Sequence, residues 1–509
     1  MPRTEATVEA AKIEELCHTL TEGKKVVAKQ SDGAAATLST ARLQELAAKI
    51  REQKSCPVVE DIEGDPKNKR VTFFYDDKGE KCEAVNVCSR SFASPLIDRK
   101  EVSTSLGQKK LRVMTELPKL PMQRIENTSV WVLTLELPTD AVFSYCISTK
   151  PGVYTADSLN RQALGFPPQA SVFDLSPTPE INPRRIAEVK AGIERDLRLA
   201  RYSISDQGDL TLRDDEYKPQ ENERMLTVHF PQGYDQTKTY PMRLFLDGGW
   251  HRRAEIPEIL DDAGAINIML EPKAIAANAS SNRDQQENAD RDQEYLPDKG
   301  LAVFAKLLSH TFIPKLQEKF HGSTAACDTT IWGSSLSGYA AMYIGLHYPE
   351  VFGNVITQSA ALWLDQNNLL TLLQSNPAQF RNSRVYSEVS YLDHPKIFKF
   401  NHIFDETMKK VGLGDEFHRL VENYGEHHPA AWQKFFVRCV HALDALRATA
   451  TSEMRETNAS CVAIERALLP KDLSAAATAS PAIPTAPANT EKPVPKGATR
   501  VADIGKPVC

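Results

Sequence analysis

The most informative segment for predicting the fold is Thr329-Thr330-Ile331-Trp332-Gly333-Ser334-Ser335-Leu336-Ser337-Gly338. Its first four residues predict a short buried strand, and an apolar helical pattern follows over 336–347. A serine between a strand and a helix is the setting of a nucleophile elbow, in which a tight turn lifts the Ser335 hydroxyl above the sheet. The backbone N–H of Leu336 then points toward the oxygen that becomes charged during acyl transfer. Ser337 stands where the G-x-S-x-G pattern has its last glycine, and serine is small enough to fit.

Strands and helices alternate on both sides of this turn. Compact apolar runs at 242–246, 265–270 and 354–358 predict buried strands, and 301–319 carries one apolar face typical of a helix. Such alternation indicates a parallel α/β sheet. Together with the elbow, it predicts the α/β class, with an α/β-hydrolase sheet flanked by helices.

A serine nucleophile needs a base and a carboxylate that orients the base, and in α/β hydrolases they follow in the order Ser, Asp or Glu, His. The predicted base is His427, in the short polar loop Gly425-Glu426-His427-His428-Pro429. The predicted acid is Asp393, in a loop after a predicted strand at 384–389. Glu388, within that strand, is the alternative acid.

Other residues in this part of the chain keep simpler explanations open. Three histidines are weaker candidates for the base because they lie too near the acid segment or inside a helical stretch: His394, His402 and His418. The loop at 427–428 could be a surface histidine pair, or His428 could cap the next helix. Either carboxylate could be an ordinary solvated loop residue.

The segment Asp247-Gly248-Gly249-Trp250 leaves the predicted strand at 242–246 and is the candidate for a second oxyanion donor. Glycines let a backbone N–H approach a ligand closely, so we expect the N–H of Gly249 or Trp250 to take this role. A simple tight turn is the alternative. The basic run His251-Arg252-Arg253 follows. One interpretation is a solvated face. The other is a surface that attracts an anionic substrate, because guanidinium groups bind dispersed negative charge well.

The chain divides into four predicted regions. Residues 1–52 show helical spacing and predict an N-terminal extension that packs on a neighbouring domain or docks a partner. Residues 53–185 read as short strands separated by turns, which predicts an antiparallel β-sandwich. Residues 186–466 are the predicted catalytic domain, and the Ala- and Pro-rich residues 467–509 are predicted to form a disordered tail.

Composition excludes several classes of protein. The 509 residues carry 61 Lys plus Arg against 67 Asp plus Glu, a net charge of −6, which argues against bulk binding to nucleic acid or anionic membranes. The nine cysteines have no zinc-ligand spacing. The start is polar and lacks a secretory pattern, and no apolar run reaches the roughly 18 residues of a membrane span. We expect a cytoplasmic protein, with export by another route as the alternative, and we expect catalysis without a metal or cofactor.

Several elements in the same order resemble the enterochelin (enterobactin) esterases and related ferric siderophore esterases. The resemblance covers much of residues 120–435 and is closest over 335–353. Leu246-Asp247-Gly248-Gly249 is similar to that family's oxyanion segment, and Arg291-Asp292-Gln293-Glu294-Tyr295-Leu296 resembles its Arg-x-x-Glu-Leu element. The residues that match the segment with the family's catalytic histidine are Gly425, His427 and Trp432.

This resemblance implies an α/β-hydrolase domain preceded by a β-sandwich domain that helps cover the substrate. It further implies the hydrolysis of ester bonds in a cyclic tri-catecholate siderophore, with release of iron in the cytoplasm. Ferric complexes of this kind are anionic, which would give the basic residues a purpose. The expected substrate-binding residues are Trp250, Arg252, Arg253, Arg291 and Glu294.

The sequence therefore predicts a serine esterase, most concretely one that acts on a ferric catecholate siderophore. Ser337 and the acid segment at 388–393 depart from the family's pattern, which leaves the substrate open. One alternative is a general carboxylesterase or a secreted effector that cleaves another acyl ester. The other is a catalytically inactive binding protein whose N-terminal extension docks a partner.

Overall fold

The computed structural model describes most of the predicted N-terminal and catalytic regions. It covers residues 12–18, 28–29, 35–36, 40–53, 55–80, 82–89, 119–125, 128–160, 171–175, 183–220, 223–261, 264–273, 290–365 and 368–448. The predicted tail at 467–509 lies outside these described residues.

The first part of the chain is built from short strands and two helices. The helices are α1 (12–18) and α2 (Thr40–Gln53). The strands are β1 (Ala28–Lys29), β2 (Ala35–Ala36), β3 (Val58–Ile62), β4 (Asp65–Asp76), β5 (Asn86–Cys88), β6 (Lys119–Pro121), β7 (Gln123–Arg124), β8 (Val130–Pro138), β9 (Val142–Lys150), β10 (Val153–Thr155) and β11 (Ser171–Asp174). Strands β3, β4, β8 and β7 form one antiparallel sheet in that order.

Part of this sheet is covered on both faces. Alternate side chains of a strand point to opposite sides, so neighbouring residues enter different cores. Phe73 and Trp131 enter a core shared with Tyr145 and Phe173 of the facing strands β9 and β11. Phe74, on the opposite face, packs instead against α1 and α2. The antiparallel β-sandwich predicted from the sequence is therefore confirmed.

The helical extension packs on the outer face of this sandwich. The apolar side chains of Leu16, Leu43 and Ile50 are fully buried within the chain. Polar contacts reinforce this packing, since the buried carboxylate of Glu60 on β3 accepts hydrogen bonds from Arg42 and Lys49 of α2. The apolar stripe that predicted either a neighbour or a partner is therefore already covered by the sandwich.

The second part of the chain forms a large mixed sheet. Its strands are β12 (Leu199–Ser205), β13 (Leu210–Arg213), β14 (Glu223–His229), β15 (Met242–Leu246), β16 (Ile266–Leu270), β17 (Thr329–Ser334), β18 (Asn354–Gln358), β19 (Arg384–Leu392) and β20 (His418–Glu426). The order is β13-β12-β14-β16-β15-β17-β18-β19-β20. Strands β12 to β14 pair antiparallel with their neighbours, and the run from β16 to β20 is parallel.

Helices cover both faces of this sheet. They are α3 (Pro183–Arg195), α4 (Gly248–Arg253), α5 (Ile256–Ile259), α6 (290–295), α7 (Leu301–Leu307), α8 (Ile313–Phe320), α9 (Leu336–His347), α10 (Asn368–Ser375), α11 (Pro395–Lys410) and α12 (Pro429–Ala448). On one face α7, α8, α9 and α11 bury a core that includes Phe312 and Tyr339. On the other face α3, α5 and α12 bury Trp332 and Phe436. The predicted α/β-hydrolase sheet flanked by helices is confirmed.

The two sheets meet at one seam. Strand β20 ends beside the sandwich strand β9, with Gly425 opposite Val142 in parallel register, so the hydrogen-bonded path continues from β20 through β9 to β5 and β6. The predicted domain boundary at 185/186 stays a prediction. In the described ranges, no helix has the length and apolarity that crossing a bilayer requires.

Candidate active site

Ser335 lies on a sharp turn between β17 and α9. Its backbone has φ 57° and ψ −119°, a conformation that a residue with a side chain rarely adopts. The turn is closed by hydrogen bonds, since the Ser335 N–H donates to the Gln358 carbonyl over 2.9 Å. Gly333 is required just before it, because a Cβ at that position would lie 2.1 Å from the Ser337 carbonyl oxygen. This is the geometry of a nucleophile elbow.

Ser337, the departure from the usual pattern, fits the turn without a clash. Its side chain is completely buried, and its hydroxyl donates to the Ser334 carbonyl over 2.9 Å. The same hydroxyl accepts from the Ser334 N–H over 3.1 Å. Because every polar atom of this serine that faces the elbow is satisfied, serine stabilises the turn where glycine would merely permit it.

His427 connects the elbow serine to Asp393. Its Nε2 lies 2.9 Å from Ser335 Oγ, and its Nδ1 lies 2.8 Å from Asp393 Oδ1. The Asp393 side chain is fully buried, whereas the imidazole is 28% exposed. The second Asp393 oxygen accepts from the Ser390 N–H over 3.0 Å, which fixes the carboxylate. The structure thus brings together three predicted residues from the loops after β17, β19 and β20.

Glu388, the alternative acid, has other partners. Its Oε1 accepts from Arg438 Nε over 2.8 Å, and its Oε2 accepts from Gln358 Nε2 over 3.2 Å. Both carboxylate oxygens are therefore used in a buried network that joins β19 to α12. Asp393, not Glu388, faces the imidazole of His427.

The three rival histidines also have separate contacts. His394 accepts from the Lys396 N–H at the start of α11, and His402 pairs with Glu422 over 2.9 Å. His418 resembles a catalytic base more closely, since it lies 3.0 Å from Asp405 and 3.2 Å from the hydroxyl of Ser387.

This second Asp-His-Ser arrangement lies inside the sheet. His418 and Ser387 are each 1% exposed and belong to the paired strands β20 and β19. The Ser387 hydroxyl also bonds to Thr357 over 3.0 Å, on the next strand. An ester carbonyl has no room to approach this serine, so the arrangement is a structural link between strands.

The loop after β15 turns sharply into the short helix α4. Asp247 adopts a left-handed conformation, with φ 60° and ψ 46°. Gly248 follows, and a Cβ there would lie 2.3 Å from the Met269 carbonyl carbon on β16, so only glycine lets the chain pass. The Trp250 N–H donates to the Asp247 carbonyl over 2.9 Å. This hydrogen bond corrects the expectation that Trp250 could serve as a backbone oxyanion donor.

Two backbone N–H groups remain as candidate oxyanion donors. Within the described residues, neither Gly249 nor Leu336 gives its N–H to an acceptor. Both lie in the first turn of a helix, where the N–H groups have no partner inside the helix. Each of these N–H groups is therefore available to an acceptor from outside its helix.

His251 does not belong to a basic surface run as the sequence suggested. It is completely buried between aromatic rings, and burial lowers its pKa to about 4. The side chain is therefore neutral near pH 7. Its Nδ1 lies 3.2 Å from the Asp247 carbonyl, so it supports the left-handed turn before Gly249.

The three arginines expected to bind the substrate make different contacts within the protein. Arg291 Nε donates to Asp247 Oδ1 over 2.8 Å, which ties α6 to the oxyanion loop. Arg252 is 38% exposed and lies 3.4 Å from Asp215. Arg253 lies beside the candidate donor, since its Nη1 would lie 3.6 Å from a Cβ at Gly249, and the Glu271 carboxylate would lie 3.4 Å from the same Cβ. The structure therefore places one arginine beside the candidate donor and uses another to hold the loop.

Glu294 has a structural role instead of the expected contact with substrate. It is 6% exposed, and its Oε1 accepts from Arg224 Nε over 2.7 Å. Its Oε2 accepts from the Lys273 N–H over 3.0 Å. Burial raises the pKa of Glu294, and the guanidinium of Arg224 opposes that rise. Since both oxygens are taken up within the protein, the geometry corrects the substrate-binding expectation for this residue.

Trp432 contacts both His427 and Trp250 of the oxyanion loop. The ring of Trp432 meets His427 edge to face, with centroids 5.0 Å apart, and meets Trp250 at 5.7 Å. Trp432 Nε1 donates to Ser359 Oγ over 3.2 Å, which holds the ring in place. The sequence offered only the resemblance as a signal for Trp432, because a tryptophan in a helix is more often part of a core.

The sheet and the elbow define the class of protein as an α/β hydrolase. Residues 219–443 match the family described as "Putative esterase". The iron(III) enterobactin esterase of Escherichia coli K12 is 26% identical over 354 residues, which cover 61% of this chain and 78% of that protein. The enzyme of the same name from Escherichia coli strain CFT073 is 25% identical over 266 residues, which cover 48% of this chain. The match spans only 60% of the length of that enzyme.

Two solved structures share the fold. The ferric enterobactin esterase from Salmonella typhimurium superposes with a TM-score of 0.54 at 18% identity, covering 77% of this chain and 98% of the other. The enterobactin esterase from Shigella flexneri, solved in the presence of enterobactin, gives 0.50 at 19% identity, covering 78% and 96%. The resemblance to the enterochelin esterase family of the α/β-hydrolase fold is confirmed, and the esterase family supports ester hydrolysis.

Proposed function

We propose that the protein is a serine-dependent carboxylic ester hydrolase. The observation that carries this proposal is the hydrogen-bonded chain from Ser335 through His427 to Asp393 at a strained elbow. A serine hydroxyl is a weak nucleophile by itself, and an adjacent imidazole held by a carboxylate activates it.

In the proposed reaction, Ser335 Oγ attacks the ester carbonyl carbon while His427 Nε2 takes the hydroxyl proton. The imidazolium then protonates the leaving alcohol as the ester C–O bond breaks, which leaves an acyl-serine. Water then attacks the acyl carbon while His427 Nε2 takes its proton; the bond to Ser335 Oγ breaks as the imidazolium returns a proton to that oxygen, and the carboxylic acid is released. Asp393 accepts a hydrogen bond from Nδ1–H and stabilises the imidazolium in both steps.

The proposed oxyanion donors are the N–H groups of Gly249 and Leu336. A donor placed for the tetrahedral intermediate contributes about 2.7–4 kcal/mol to lowering the barrier in studied cases. This assignment is supported by the engagement of the Trp250 N–H elsewhere and by the glycine that lets the loop approach β16.

For the substrate, we propose a ferric catecholate siderophore of the enterobactin type, hydrolysed in the cytoplasm. The support comes from the relatives, which are named iron(III) enterobactin esterases, and from Arg253, whose Nη1 would lie 3.6 Å from a Cβ at Gly249. Guanidinium groups suit an anionic ferric complex. The tryptophans Trp250 and Trp432 offer flat apolar surface to aromatic rings.

The test of the reaction is the Ser335→Ala variant. We expect it to fold with an unchanged Tm and to lose nearly all hydrolysis of p-nitrophenyl butyrate, because no other group can form the acyl intermediate. A fluorophosphonate probe is expected to label the wild-type protein at Ser335 and to leave the variant unlabelled. Wild-type turnover in the variant would contradict the proposal, and an unlabelled wild-type protein would favour an inactive binding protein.

The test of the substrate is a comparison of kcat/KM between ferric enterobactin and p-nitrophenyl butyrate. We expect ferric enterobactin to be preferred by at least about 100-fold, since remote contacts with a large substrate contribute to transition-state binding. Replacement of Arg253 by Gln should lower only the ferric enterobactin value. Equal or reversed preference would favour a general carboxylesterase or an effector that acts on another ester.

A further inference from the structure

The loop that holds His427 is attached to the sandwich on its N-terminal side. Glu426, the residue before the histidine, is 4% exposed. Its Oε1 accepts a hydrogen bond from the backbone N–H of Ser144 over 2.6 Å, across 282 residues of chain. The contact lies at the seam where Gly425 of β20 opposes Val142 of β9. A side chain of the hydrolase sheet therefore bonds directly to a strand of the sandwich.

The backbone pattern of β9 explains why a carboxylate is needed there. Strand β5 pairs with β9 at residues 146–148, and β20 reaches β9 only at Val142. Strand β11 also pairs with β9, with Val172 opposite Ser144, but the Ser144 N–H itself lies between the pairings with β5 and β20 and donates to the Glu426 carboxylate. A buried N–H without an acceptor is costly, so the Glu426 carboxylate takes the place of the missing strand.

The same loop is attached to the sandwich on its C-terminal side. Helix α12 begins at Pro429, and its Lys434 pairs with Asp174 of β11 over 2.6 Å. Ala431 and Phe435 of α12 pack with Val142 and Val172 in one buried cluster. The position of the imidazole is therefore bounded on both sides by contacts with the sandwich.

We propose that Glu426 is a positioning residue for His427, so that the sandwich takes part in aligning the base. The inference rests on the proposed function, because it presumes that His427 is the base. The Glu426 carboxylate must reach the Ser144 N–H for the following loop to stay in place. The His427 imidazole in that loop is then held at hydrogen-bond distance from Ser335 Oγ. A shift of about 1 Å in such a group can cost on the order of 100-fold in rate.

Two substitutions of Glu426 distinguish the effect of side-chain length from the effect of charge. Glu426→Gln removes the charge and keeps an oxygen at the same distance from the backbone. Glu426→Asp keeps the charge, but its side chain is one methylene too short to reach the Ser144 N–H. Neither change opens a large cavity, so both variants should fold.

The experiment measures kcat and KM of the full chain with p-nitrophenyl butyrate. Glu426→Asp is expected to lower kcat roughly 10- to 100-fold with KM within about twofold, because alignment for the chemical step is lost. Glu426→Gln is expected to stay within about threefold of the wild type. The matched control is Glu60→Asp, which shortens another buried carboxylate of the sandwich, one that accepts hydrogen bonds from Arg42 and Lys49 of α2, and which should lower Tm without changing kcat.

Three outcomes would overturn the inference: a wild-type kcat for Glu426→Asp, an equal loss for both Glu426 substitutions, or the same loss for Glu60→Asp. The Ser335→Ala variant separates this failure from that of the proposed function. If Ser335→Ala is inactive while Glu426→Asp is fully active, only the positioning role is wrong. If Ser335→Ala keeps its activity, the reaction itself is misassigned.

Discussion

Two carboxylates compete for the acid role, and their contacts separate them. Asp393 leaves one oxygen against the imidazole and uses the other to hold its own loop. Glu388 gives both oxygens to Arg438 and Gln358 in the interior. Breaking a buried ion pair leaves an uncompensated charge, which destabilises a protein strongly. Asp393 therefore belongs to the proposed chemistry and Glu388 to the stability of the fold.

We expect Asp393→Asn to lower kcat by roughly 10⁴-fold, because an amide presents a donor to Nδ1 and favours the wrong imidazole tautomer. Glu388→Gln is the matched control and should lower Tm while keeping kcat. Steady-state kinetics with p-nitrophenyl butyrate and thermal unfolding of both variants provide the measurement. The assignment is wrong if the two variants exchange these effects.

Candidate site residues could be predicted from the sequence only where the local sequence pattern marked them. Ser335 lies between a strand pattern and a helix pattern, and His427 and Asp393 follow in the order that the fold requires, so all three were predictable. Their catalytic roles stay predictions. Glu426 carried no such signal, because its partner is a backbone N–H that lies 282 residues away.

Among the elements, the elbow depends most tightly on its sequence. Strand β17 must turn into α9 within one residue, which forces Ser335 to a positive φ. The helix then crosses so close to the strand that Gly333 faces the Ser337 carbonyl. A departure at Ser337 is tolerated because its side chain points to Ser334, whereas no side chain fits at 333.

We therefore expect Gly333→Ala to disturb the elbow more than its size suggests. A Cβ 2.1 Å from a backbone oxygen forces the strand and helix apart, and overpacking of this kind costs about 1–3 kcal/mol or more. Tm should fall by several degrees, and the rate of fluorophosphonate labelling should fall with it. As a comparison, Ser337→Gly should keep labelling within severalfold of the wild type. A Gly333→Ala variant with unchanged labelling would show that the turn is looser than this geometry.

For the whole molecule, the sequence predicted a sandwich followed by a hydrolase sheet, and it did not predict that the two would join. Strand patterns report the burial of nearby residues, so they identify β9 and β20 separately. The pairing of Gly425 with Val142 is a contact between distant segments, and one residue pair leaves no pattern in either strand. Similarly, the helical spacing of α2 predicted an apolar face that packs on a neighbouring domain or docks a partner, but it did not identify which surface covers that face.

Two fully buried ionisable side chains influence stability in opposite directions. Burial lowers the pKa of His251 to about 4, so the unfolded chain binds more protons below about pH 6.5 and the free energy of unfolding falls on acidification. Burial raises the pKa of Asp157 to about 6, although Tyr145 donates a hydrogen bond to it. The folded state then keeps a proton that the unfolded chain has lost, so the free energy of unfolding falls as pH rises from about 4 to 6.

Between pH 4 and 6 these two effects oppose each other in the wild type, each changing by about 1.4 kcal/mol per pH unit. Removing one side chain should therefore expose the effect of the other. We expect the Tm of His251→Phe to decrease with rising pH relative to the wild type, since only Asp157 of the pair remains. The Tm of Asp157→Asn should instead increase with pH relative to the wild type. Thermal unfolding of the three proteins at half-unit pH steps checks the signs, and slopes parallel to the wild type in both variants would mean that neither group titrates differently on folding.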